Sequence, residues 1–166
     1  IRNIAIIAHV DHGKTTLVDK IIHECKTLDP RKESGELILD SNDLERERGI
    51  TILAKNVSVL YKGIKINIID TPGYDDFAGE VISALRVADT GVMILNAAMG
   101  VEVGTDIIWE YTDKFKTPTL FVVNKIDLDD ADFDKTLRDA KAHFGANVVA
   151  VQYPVQTGAG FNSIVD

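Results

Sequence analysis

Cysteine is nearly absent from this 166-residue chain, which carries Cys25 alone. An internal disulfide is thereby excluded, and a reducing compartment, the cytoplasm, is the expected setting. Cys25 itself falls on an apolar helical pattern and reads as a small core residue. Basic charge is also scarce: 18 Lys and Arg stand against 26 Asp and Glu, for a net charge of −8. Gripping a nucleic acid through its phosphates needs cations in excess, so DNA is excluded as a partner and any contact with RNA must be local. No apolar run approaches the roughly twenty residues that cross a bilayer, and no signal peptide opens the chain. Internal repeats, low-complexity tracts and linkers are missing too. What remains is a chain with 45% hydrophobic residues and mean hydropathy +0.03, long enough for one monomeric domain with a substantial core and no membrane contact.

The stretch around which the rest is organised runs from Ile4 to Thr16. An apolar run, Ile4 to Ile7, reads as a buried strand; Ala8-His9-Val10-Asp11-His12-Gly13-Lys14-Thr15-Thr16 reads as a tight loop and the first turn of a helix. Such a loop can wrap the backbone N–H groups of Asp11 to Thr16 around a polyphosphate, with the helix N-terminus adding positive potential. Lys14 would lie along the β- and γ-phosphates, and the Thr15 hydroxyl would sit on a Mg²⁺ ion. The usual pattern opens with Gly where this chain has Ala8, so the backbone there must be one that a residue with a Cβ can adopt.

Downstream, Leu17, Val18, Ile21, Ile22 and Cys25 recur at helical spacing. Lys26 to Ile50 is rich in charge and reads mostly as a solvated loop, but its end, Arg48-Gly49-Ile50-Thr51, could fold over a nucleotide so that Thr51 reaches the metal. Asn56 to Tyr61, a Lys62-Gly63 turn and Ile64 to Asp70 read as a β-hairpin. Asp70, at the C-terminal end of a buried strand, is placed to hold Mg²⁺ through water. Gly73, in Asp70-Thr71-Pro72-Gly73, can present an N–H to a γ-phosphate and rotate when that phosphate leaves. Helices are expected on Phe77/Val81/Leu85/Ala88, Ile107/Ile108/Tyr111/Phe115 and Phe133/Leu137/Ala140/Phe144. Strands are expected at Gly91 to Leu95, Leu120 to Val123 and Val148 to Val151. This alternation predicts an α/β fold, a mostly parallel central sheet with helices on both faces.

The strand Leu120 to Val123 ends in Asn124-Lys125-Ile126-Asp127. Asp127 could accept hydrogen bonds from the N1–H and exocyclic amine of guanine, which adenine does not offer together. Asn124 would tie neighbouring loops together and Lys125 would lie along the ring. A site built on that pairing rejects the wrong base strongly, so the expected ligands are GTP and GDP.

The four motifs together, His9 to Thr16, Arg48 to Thr51, Asp70 to Gly73 and Asn124 to Asp127, resemble those of the translational GTPases over essentially the whole chain. Residues 1 to about 70, notably Asp40-Ser41-Asn42-Asp43-Leu44-Glu45, are most similar to the BipA/TypA ribosome-associated GTPases. From Tyr74 onward the sequence is more similar to elongation factor G, the split of a divergent paralogue or of a composite sequence. The resemblance implies a Ras-like P-loop GTPase fold. Thr51 would ligate Mg²⁺, Val10 and Ile50 would flank the attacking water, and Asp11 would hold a monovalent cation near the phosphates. It also implies a ribosome partner and GTP hydrolysis to GDP and phosphate, driving an elongation or translocation switch. A BipA/TypA-like part in ribosome assembly or stress adaptation is the alternative, as is a binding module with negligible turnover.

Two departures bear on these expectations. The family usually has His after Asp-Thr-Pro-Gly to position water on the ribosome; Tyr74 stands here, and a phenol with an ordinary pKa near 10 cannot act as an imidazole does. Slow intrinsic hydrolysis, stimulated by the ribosome, is expected. The family's last base loop is not visible between Pro154 and Gly158. Residues 1–166 are therefore expected to be the G domain of a multidomain translation factor, truncated at its C-terminus.

Overall fold

The computed structural model describes residues 1–25, 51–73 and 75–166. Five strands form one sheet: β1 (Arg2–Ile7), β2 (Lys55–Tyr61), β3 (Ile64–Asp70), β4 (Thr90–Asn96) and β5 (Thr119–Asn124), in the order β2-β3-β1-β4-β5. In this sheet β2 runs antiparallel to its neighbour, closing a hairpin with β3 across Lys62 and Gly63, which both have positive φ. The β1–β3, β1–β4 and β4–β5 pairs are parallel, as right-handed crossovers through helices require. The helices are α1 (Lys14–Glu24), α2 (Ala78–Leu85, after a 3-10 turn at Asp75–Phe77), α3 (Val103–Phe115) and α4 (Phe133–Phe144).

Central strands read as unbroken apolar runs because both of their faces are covered. Ala5 and Ile7 of β1, Ile69 of β3, and Met93 and Leu95 of β4 turn to one face. There they pack with Val81, Ala84 and Leu85 of α2, Ile108 of α3 and Ala140 of α4. Their neighbours Ile6, Ala8, Ile68, Val92 and Ile94 turn to the other, against Val18 and Ile22 of α1. On the first face Phe121 and Phe144 stack with ring centroids 4.9 Å apart, and Trp109 tilts against both. The expected α/β, Ras-like architecture is the one observed.

The expected strand Val148 to Val151 does not form. Gly145, at φ 108, ends α4, and Val148 N–H turns back to the Gly145 carbonyl at 3.2 Å. Val148 packs on the core, whereas Val149 and Val151 are 72% and 68% exposed. An apolar run becomes a strand only where a ladder partner is within reach, and here the turn leaves the run beside the edge of β5 without pairing to it. The pairing that forms at this end joins β6 (Tyr153–Pro154) to β7 (Ile164–Val165), antiparallel and outside the main sheet. A cleft of about 1020 Å³ consequently runs along β5 between α4 and the 147–152 segment, reaching Asn124 to Asp127 at one end.

Candidate functional site

The C-terminal ends of β1 and β3 lie side by side, because Ile6 pairs in register with Asp70. The loops leaving these two strands therefore converge. After β1 the chain turns through Asp11 (φ 60) and Gly13 (φ 90) into α1. Ala8 is not among the positive-φ residues, so the Cβ at that position is accommodated without strain. Gly13 is the N-cap of α1 and makes no side-chain cap, leaving the first-turn N–H groups of Lys14, Thr15 and Thr16 without intrahelical partners.

Lys14 is 7% exposed and donates from Nζ to the carbonyls of Ala8 at 3.0 Å and His9 at 2.9 Å. Burial lowers its pKa from 10.5 to about 8, against the opposing pull of the Asp70 and Asp11 carboxylates. Gly73 closes over this lysine: an added Cβ would overlap Nζ and lie 3.0 Å from the Val10 backbone. A side chain is excluded there by the approach of two loops.

Thr15 Oγ1 lies 3.1 Å from Thr51 Oγ1 and donates to Asp70 Oδ2, also at 3.1 Å. Two hydroxyls and one fully buried carboxylate, from three distant segments, thus meet beside Lys14. Hard oxygen donors with a single carboxylate suit a magnesium ion that takes its other ligands from phosphate and water. No cluster of three or more His, Cys, Asp or Glu suited to a metal occurs among the described residues.

The fourth motif reaches the same loop. Asn124, the last residue of β5, donates from Nδ2 to the His12 carbonyl at 2.9 Å, and the same nitrogen is 2.6 Å from where a Gly13 Cβ would stand. Lys125 comes next at φ 58, and Asp127 is exposed. The Gly158 N–H donates to Ile126 O at 2.9 Å, so the 156–160 turn lies beside this motif. Of the sequence candidates, Asp11, His12, Gly13, Lys14, Thr15, Thr16, Thr51, Asp70, Gly73, Asn124, Lys125 and Asp127 fall at one end of the sheet. Tyr74 and Arg48 to Ile50 lie outside the described residues.

Three residues to which the sequence assigned no role of their own also belong here. Thr71 is fully buried and donates from Oγ1 to Ile6 O at 2.7 Å, fixing the start of the Pro72-Gly73 segment to β1. Glu80 of α2 accepts from Ala54 N–H at 3.0 Å, joining the chain after Thr51 to the helix after Gly73. Glu102 contacts the buried His12 ring. Thr71 lies within the Asp70-Thr71-Pro72-Gly73 motif, whereas Glu80 and Glu102 had no local signal; each of the three acts through a partner more than 25 residues away.

A mostly parallel sheet whose first strand feeds a Gly-Lys-Thr loop and helix, with an acid at the end of a neighbouring strand and an Asn-Lys-x-Asp turn at the next but one, defines the P-loop GTPase class. Within it, this chain belongs to the family of elongation factor Tu GTP-binding domains, whose profile matches residues 1–164, and so to the translational GTPases. It is 43% identical to the large ribosomal subunit assembly factor BipA of Bacillus subtilis (strain 168) over 165 residues, 98% of this chain and 27% of that protein. With the protein of the same description from Escherichia coli O6:H1 it shares 47% identity over 127 residues, 76% of this chain and 21% of that one. A crystal structure of a protein from Thermus thermophilus superposes over the whole chain with a TM-score of 0.91, at 28% identity and over 25% of its own length. The chain thus spans about a quarter of the length of these relatives. No helix among the described residues is long and apolar enough to cross a membrane.

Proposed function

We propose that this domain binds GTP with Mg²⁺ and hydrolyses it to GDP and phosphate by in-line attack of water, as the switch of a ribosome-associated factor. The observation that carries the reading is the meeting of Thr15, Thr51 and Asp70 oxygens within 3.1 Å contacts, next to a buried lysine. Those three residues would hold the magnesium ion, which when bound neutralises charge on the phosphate oxygens. The chain does the rest by position. Lys14 and the N–H groups from Asp11 to Thr16 offset charge on the β- and γ-phosphates as it develops. Gly73, held against Val10 and Lys14, offers its N–H to the γ-phosphate. Val10 excludes bulk water from one side, and Asp127 and Lys125 select and cover the guanine. Asp11, exposed at the turn of the loop, is assigned to a monovalent cation.

The resemblance to elongation factor G makes an elongation or translocation role the first expectation. Identity to BipA proteins of 43% over nearly the whole chain favours the alternative, ribosome assembly or stress adaptation, and we adopt it. Slow intrinsic turnover stimulated by ribosomes remains part of the proposal, with Tyr74 as its cause. Competition of GTP and GDP against ATP, followed by single-turnover phosphate release with and without ribosomes, tests it. Guanine-selective binding with release accelerated by ribosomes is expected. Equal affinity for ATP would sink the base assignment, and no phosphate release in either condition would leave a binding module.

A further inference from the structure

The phosphate loop has a second anchor that the chemistry above does not use. His12 stands between the two left-handed residues of the loop, Asp11 and Gly13, yet its ring is only 1% exposed. The ring donates from Nδ1 to Ile94 O at 3.0 Å, and its Nε2 is 2.5 Å from Glu102 Oε2. Glu102 is the N-cap residue of α3, where an acid commonly accepts from the helix's own first-turn amides; here the carboxylate makes no such cap and reaches back to the loop instead. Its other oxygen is 4.0 Å from Nε2 of His9. The His9 and His12 rings meet edge to face at 5.6 Å, and Gly104 lies where any Cβ would overlap the His9 imidazole. The first turn of α3 is thus shaped to receive both loop histidines.

We propose that Glu102 is a positioning residue of the nucleotide site, holding the phosphate loop in its anion-binding conformation through His12. This rests on the reading of that loop as a nucleotide site. The loop binds with main-chain N–H groups, and their directions depend on the peptide planes on either side of residue 12. With the His12 ring pinned to β4 and to α3, those planes are fixed before a ligand arrives, and less ordering is left to be done on binding. The restraint extends to the base motif, because the His12 carbonyl accepts from Asn124. Both partners of the ring are acceptors, so making both contacts at once requires either a hydrogen on each nitrogen or one carried by Glu102. A displacement of the α3 N-terminus would therefore loosen the grip on phosphate and base together.

Stopped-flow release of a fluorescent GDP analogue from the whole protein tests this. Removing a charge-assisted hydrogen bond predicts that Glu102→Ala releases GDP about tenfold faster, while single-turnover hydrolysis of bound GTP falls less than about threefold. Glu102→Gln, whose amide can donate to a neutral His12 Nε2, should return release to within about threefold of the parent. Unchanged release in Glu102→Ala, or equal acceleration in Ala and Gln variants, would overturn the assignment. Should Glu102→Ala not fold, Glu102→Asp, one methylene short of His12, replaces it with the same expectation. If the parent itself binds no guanine nucleotide, the site reading falls and this inference with it; if the parent binds and the variants behave alike, only the inference falls.

Discussion

At the phosphate end of the site, Lys14 and Thr51 are each 7% exposed, and Asp70 and Thr71 are fully buried. At the base end Asp127 is exposed, Asn124 and Lys125 are half-buried, and the strand that carries them is the edge of the sheet. The residues proposed for phosphate and magnesium hang mainly from β1 and β3, each paired on both sides, with packing and ladder bonds that leave their ends one direction to point. The base motif hangs from β5, which is paired on one side and faces a cleft on the other. It is tied to the phosphate loop by the hydrogen bond from Asn124 to His12. The ends of β1 and β3 are thus held more tightly than the end of β5, which suits the proposed division between a phosphate end and a base end.

Breaking the phosphate end should cost most. Lys14→Ala removes the buried cation beside the loop, and GTP hydrolysis should fall by at least about a hundredfold in single-turnover phosphate release, with binding weakened for every nucleotide alike. Asp127→Asn attacks the other end and should discriminate instead. GTP affinity should drop on the order of a hundredfold while xanthosine triphosphate gains, because an amide can donate to the xanthine oxygen that replaces the guanine amine. Loss of all nucleotides in that variant would show that the two ends are not separable.

The pH dependence sharpens the contrast further. Burial lowers the Lys14 pKa to about 8, and the phosphate contact proposed for it needs the charged form. Affinity for GDP should therefore be flat below that pH and fall about tenfold between pH 7 and 9 by isothermal titration, with no such slope in Lys14→Ala. The sign for stability is opposite. A cation whose folded pKa is depressed destabilises the fold while both states are protonated, and this penalty is relieved as pH rises from about 8 towards 10.5. The smallest effect is expected at Thr71→Val, which keeps the shape but removes the bond to Ile6 O. Thermal or urea unfolding should show a loss of about 1 kcal/mol.

Much of this was readable along the chain. The order of strands and helices and the split of β1 and β4 into two buried faces stem from spacing and from apolar runs too long for half-exposed strands. Three of the motifs, His9 to Thr16, Asp70 to Gly73 and Asn124 to Asp127, lie at one end of the sheet, while Arg48 to Ile50 lies outside the described residues. The failures were those of context. Val148 to Val151 reads as a strand because four apolar residues in a row suit one, yet a strand needs a partner, and the turn at Gly145 withholds it. Glu102 carries no mark in sequence that separates it from any other acid in a loop; its partner His12 is 90 residues away.

The amino-acid sequence by itself determined which residue types are on offer: a lysine and glycine-bearing loop that suits phosphate, hydroxyls and an acid that suit a hard cation, and an Asn-Lys-x-Asp turn that suits guanine. Those are properties of residue types and short spacings, set by local geometry. Only the tertiary structure decided that the Thr15, Thr51 and Asp70 oxygens come within hydrogen-bonding distance, that Gly73 closes over Lys14, and that Glu102 of α3 braces the loop from behind. Such contacts depend on strand register and helix docking, which sum weak interactions over the whole sheet and leave no trace in any one stretch of the chain.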